Sequence, residues 1–128
     1  MKSLSKFALL FLLIFGFILP SSVMAEKVIK IGAIYPLTGG AAAAGRELRA
    51  GAELSVKIAN EIMTDINMTM AKNAGIKSIG GAKIEIIFKD HEGNPTLGAD
   101  LAKKLILDDK VDGLLGCYHS SVTKTVSA

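Results

Sequence analysis

Apolar residues come first as an unbroken block, FALLFLLIFGFIL at 7–19, and afterwards in segments whose period alternates between strand-like and helix-like. VIKIGAIY (28–35) is apolar and β-branched and runs into Pro36, the pattern of a buried strand ending at a turn. Leu48, Ala52, Ser55, Val56, Ala59, Ile62 and Met63 then recur at spacings of three and four, which predicts an amphipathic helix. Glu53 and Lys57 sit one turn apart on its wet side. Residues 64–81, with Asn73, Gly75, Gly80 and Gly81, read as connection, and KIEIIFKD (83–90) reads as a second strand. Asn94 is placed to cap a second helix with Pro95 at its first position, where a missing N–H costs nothing. Leu97, Leu101 and Leu105 form its apolar stripe. VDGLLG (111–116) is a short third strand, and SSVTKTVSA begins a third helix that the chain's end cuts short.

Strand and helix alternating three times predict an α/β fold, a doubly wound parallel sheet with right-handed crossovers. In such sheets ligands lie outside the carboxyl ends of the strands, where the strand order reverses. If the usual order holds, the reversal falls between the first and third strands and brings the loops at 36–45 and 116–121 together.

Composition changes the picture at the amino terminus. Lys2 and Lys6, the 13-residue apolar core, the break at Pro20 and the small residues Val23 and Ala25 make residues 1–25 a secretory signal cleaved before Glu26. A membrane span needs about 20 apolar residues, and this block is shorter. Without Lys2 and Lys6 the net charge of +3 falls to +1, and no basic block remains to track a phosphate backbone, which argues against a nucleic-acid partner. The single cysteine, Cys117, has no partner for an internal disulfide, so residues 26–128 rely on an ordinary core.

Three stretches invite chemistry. PLTGGAAAAGRE carries the glycine spacing of a phosphate-binding loop, but Arg46 and Glu47 stand where lysine and a hydroxyl are needed. Helix packing is the plainer reading of Gly45 and Gly51. In GCYHSSVT (116–123), hydroxyl side chains coincide with the start of a helix, whose unpaired amides favour an anion such as a carboxylate. The same pattern suits a simple cap by Ser120 or Ser121. Cys117, His119 and His91 fall short of a tetrahedral metal set, and Cys117 with His119 makes a weak nucleophile and base pair. No metal or other cofactor is expected. Asn67-Met68-Thr69 is an N-glycosylation sequon, meaningful in a host that glycosylates.

Taken together, IKIGAIYPLTGGAAAAGRELRAGAELSV, KIEIIFKDHEGNPTLGADLAKKLILDDKVDGLLG and the hydroxyl-rich SSVT resemble the type I periplasmic binding proteins, in particular the leucine/isoleucine/valine-binding group. The resemblance implies a two-lobed receptor that closes around a small solute and delivers it unaltered to an ABC permease of the inner membrane. Residues 26–128 would be part of its first lobe, three βα units of a fragment, and the whole receptor a periplasmic monomer. It implies no enzyme activity. Carried over residue by residue, Ser120 would bind the carboxylate of an amino acid or amide-like ligand, with Ser121, Thr123 and Tyr118 beside it, and 36–45 would be the lip of the cleft. Two positions depart from the pattern: Ala44 stands where an aromatic is common, and Gly93 and His119 where a disulfide often joins two loops. A sensory domain of the same fold is the alternative. An enzyme on a doubly wound sheet would need a nucleophile, base and orienter to converge.

Overall fold

The computed structural model describes residues 26–128; the proposed export signal lies outside them. Three strands, β1 (Val28–Tyr35), β2 (Lys83–Asp90) and β3 (Gly113–Gly116), form one parallel sheet in the order β2-β1-β3. Three α-helices alternate with them: α1 (Ala42–Asn60), α2 (Pro95–Leu107) and α3 (Ser120–Val126). β1 is central because its sequence lets both faces be covered, and Ala33, Ile34 and Tyr35 are buried. Its register sets Ile31 beside Ile86 and Gly113, and Ile34 beside Lys89 and Gly116.

The two faces of the sheet are filled unequally. Under α2 and α3, Ile34, Ala102, Leu105, Cys117 and Val122 make a closed cluster, with Ile87, Val111 and Val126 packed around it. Gly32 is part of the reason: a Cβ there would stand 2.8 Å from a Leu105 methyl, so glycine lets α2 settle onto β1. Of the predicted α2 stripe, Leu105 is fully buried while Leu97 and Leu101 are half-buried. The opposite face, under α1, retains a cavity of about 390 Å³ between Ile31, Ile84, Ile86, Ala52, Val56 and Leu115.

Both ends of α1 differ from the sequence expectation. The helix starts at Ala42, inside the stretch 36–45 read as a loop, because alanine is the strongest helix former and the run 41–44 supplies a first turn without a special cap. It stops at Asn60, before Ile62 and Met63. The Asn60 carboxamide is engaged with β2, donating to the Ile84 carbonyl and accepting from the Ile84 amide, both at 2.8 Å. Ile62 is left 63% exposed in the connection that follows. That connection holds two single-turn 3-10 helices, Met70–Lys72 and Lys77–Ile79. α2 keeps its predicted start, with the Asn94 side chain accepting from the Thr96 and Leu97 amides. β3 is shorter than 111–116. Asp112 already bonds Lys30 through both its amide and its carboxylate, while the Val111 amide turns back to the Leu105 carbonyl.

Candidate functional site

Parallel strands place the loops that follow β1, β2 and β3 at one end of the sheet, and hydrogen bonds fasten them to one another. The Asp90 carboxylate, at the end of β2, accepts from the Leu37 amide at 2.8 Å, the Thr38 hydroxyl at 2.6 Å and the Glu92 amide at 2.9 Å. Burial pushes its pKa up, but these bonds, with one from the Thr38 amide, more than offset that and hold the carboxyl below its ordinary value. The glycine loop after β1 is thus held by a carboxylate, a group that would repel a phosphate. Gly45 packs against it so tightly that a Cβ would lie 2.0 Å from the Pro36 carbonyl oxygen. Gly51 is a correction: it is exposed, nothing stands within 4 Å of its missing Cβ, and packing does not explain it.

His91 fastens the other pair of loops. It is fully buried, its Nδ1 accepts from the Gly93 amide at 2.9 Å, and its Nε2 lies 2.7 Å from the Cys117 carbonyl. With Nδ1 accepting, the proton belongs on Nε2, which donates to that carbonyl. The His119 ring stands edge-on to His91 with centroids 5.3 Å apart, and Tyr118 edge-on to His119 at 5.2 Å. An ideal Cβ on Gly93 would be 3.8 Å from the His119 ring. The two positions where the resemblance looks for a disulfide are therefore neighbours, and a buried histidine joins their loops instead. Cys117 is only 4% exposed, and burial pushes its thiol up although the Thr123 hydroxyl pulls partly the other way. A thiol kept protonated in this way is a poor nucleophile.

The loop after β3 presents the predicted residues differently from one another. α3 begins at Ser120, so its cap is His119, whose side chain makes no capping bond. Neither serine is the cap. Both are exposed on the first turn, beside amides without a side-chain partner. Thr123 donates its hydroxyl to the His119 carbonyl at 3.1 Å and so faces its own helix. Tyr118, with φ of +68° and 59% exposed, lines a groove of about 560 Å³ with Tyr35, Ala44, Glu47, Leu48 and Leu115. Ser120, Ser121 and Thr123 lie outside that groove, on the turn that Tyr118 leads into. Ala44, at the place where the resemblance looks for an aromatic, lines this groove with a small side chain. Asp90 and His91 organise the site, yet sequence reading singled out neither for this role. The available signal was DHEGNP (90–95), an acid at a strand end, a histidine directly after it and then a helix cap.

A family model described as periplasmic binding protein matches residues 28–128. The Leu/Ile/Val-binding protein homolog 3 of Brucella melitensis is 33% identical over 99 residues, which are 77% of this chain and 23% of that protein. Among solved structures, the branched-chain amino acid transporter substrate binding protein LivJ of Streptococcus pneumoniae, in complex with isoleucine, is similar with a TM-score of 0.59 and 26% identity. The match covers 78% of this chain and 25% of that one. An extracellular ligand-binding receptor of Rhodopseudomonas palustris is similar with a TM-score of 0.58 and 28% identity, over 79% of this chain and 23% of that one. The chain thus spans about a quarter of the length of the proteins it matches.

Proposed function

Because the chain belongs to the periplasmic binding protein family, we propose that it serves to capture a small carboxylate-bearing solute, an amino acid or a close analogue, outside the cytoplasm for an ABC permease. Residues 26–128 are then part of the first lobe, and a second lobe closes over the solute to complete a monomeric receptor. Relatives of this family are extracytoplasmic solute-binding proteins, which supports a role without catalysis.

One observation carries the reading. The first amides of α3 have no side-chain cap and stand beside two exposed hydroxyls, at the carboxyl end of the strand where the sheet order reverses. In this reading Ser120 and Ser121 hold the carboxylate, Tyr118 and the groove take the remainder of the solute, and Thr123 acts indirectly by holding the turn. Isoleucine bound to the Streptococcus pneumoniae relative is a solute of this class.

A hydrogen bond to a charged group contributes about 1.5–3 kcal/mol. In a protein with both lobes present, Ser120→Ala is therefore expected to weaken isoleucine or another amino-acid ligand by about 10- to 150-fold, with little change in melting temperature. Titration calorimetry beside a denaturant melt reads both quantities. Unchanged affinity with a lowered melt would return Ser120 to a purely structural role.

A further inference from the structure

We propose that Asn67 is an attachment site for an N-linked glycan, added after export. The sequence around it is Asp65-Ile66-Asn67-Met68-Thr69. It contains the asparagine, a non-proline residue and the hydroxyl, here of Thr69, that such an acceptor requires. Asp65 adds an exposed acidic residue two positions before the asparagine, a charge that the transferase can read.

The structure presents this stretch as a folded acceptor must. Residues 63–71 form a loop closed at its base by the Met63 amide donating to the Ala71 carbonyl at 2.8 Å, and Ala71 is fully buried beneath it. Asn67 is midway round, in neither helix nor strand, and Asp65, Asn67, Met68 and Thr69 are exposed. Asn60 is engaged by two bonds to Ile84 and Asn94 as the cap of α2, while Asn73 is followed by Ala74-Gly75 and lacks the hydroxyl an acceptor needs. The loop follows the carboxyl end of α1, which returns from the carboxyl ends of the strands to their amino ends. Asn67 therefore lies at the pole opposite the loops 36–45 and 116–121, where a bulky substituent leaves the candidate ligand site clear. Ile62, 63% exposed, lines a groove together with Asn67, so a hydrated glycan there would screen an apolar side chain.

The co-substrate is an oligosaccharide on a lipid pyrophosphate. The Asn67 carboxamide nitrogen attacks the anomeric carbon, forming the C–N bond as the C–O bond to the pyrophosphate breaks. The bonding pair leaves with the lipid pyrophosphate, the amide proton passes to an enzyme base, and no group is oxidised or reduced.

The test is to express the full chain in a bacterium carrying such a donor and a bacterial oligosaccharyltransferase, and to measure the intact mass of protein recovered from the periplasmic fraction. We expect a species heavier by the donor's glycan, mapped to the peptide containing Asn67. It should vanish in Asn67→Gln and Thr69→Ala, persist in Thr69→Ser, and decline in Asp65→Ala. An unmodified chain beside a modified control acceptor in the same cells would overturn the proposal, as would a glycan that survives Asn67→Gln. Full occupancy in Asp65→Ala would overturn the role given to Asp65.

Discussion

At the scale of single residues, one carboxylate does more to shape the candidate site than any residue chosen for its ligand chemistry. Asp90 gathers the Leu37 amide, the Thr38 hydroxyl and the Glu92 amide, so it fixes the loop after β1 against the loop after β2. Its depressed pKa has a stability consequence. A carboxyl whose folded pKa lies below its unfolded value stabilises the fold above the unfolded value, and that contribution is lost as pH falls through the folded one. Melting temperature should therefore drop on acidification below about pH 4, and Asp90→Asn should flatten that part of the curve while lowering the plateau near neutrality. Thermal melts of both proteins across this range check it. An identical acid slope in the variant would assign the loss to other carboxylates. Asp90 was legible in the sequence as the end of a strand. Its bonding was not, because Leu37 and Thr38 are more than fifty positions away in the chain.

At the scale of elements, periodicity read well where one face of an element is dry and poorly where a polar side chain decides the boundary. β1 and β2 occupy the predicted ranges, since an apolar run between turn residues has few alternatives. The end of α1 was missed because Ile62 and Met63 continue the helical rhythm while Asn60 bonds across to β2. Two glycines of α1 make the same point energetically. Gly45 lies under the Pro36 carbonyl, so Gly45→Ala forces a backbone shift and should destabilise by about 1–3 kcal/mol. Gly51→Ala meets nothing within 4 Å and should stabilise by about 0.5–1 kcal/mol through helix propensity alone. Paired denaturant melts distinguish them, and equal effects at the two positions would contradict the packing described here.

At the scale of the molecule, the sheet is closely packed under α2 and α3 and retains a cavity under α1 on its other face. β3 pairs with β1 on one side and has no strand on its other side among the described residues, while Leu114 and Leu115 are 38% and 45% exposed. Residues 26–128 in isolation should therefore self-associate as concentration rises and melt without a sharp transition. Sedimentation at several concentrations beside a thermal melt measures both. A concentration-independent monomer that melts cooperatively and binds an amino acid would show that these residues suffice. The sequence by itself determined the α/β alternation and the cap of α2, because these follow from local period and local hydrogen bonding, whereas the reversal between β1 and β3 was expected only from the general rule for doubly wound sheets and is seen in the order β2-β1-β3. Only the tertiary structure decided that His119 takes the N-cap position of α3 without a capping bond, that Thr123 faces its own helix, and that Asp90 and His91 join the three loops. Those outcomes depend on which distant backbone groups are left unpaired once the strands are side by side, and no local pattern encodes that.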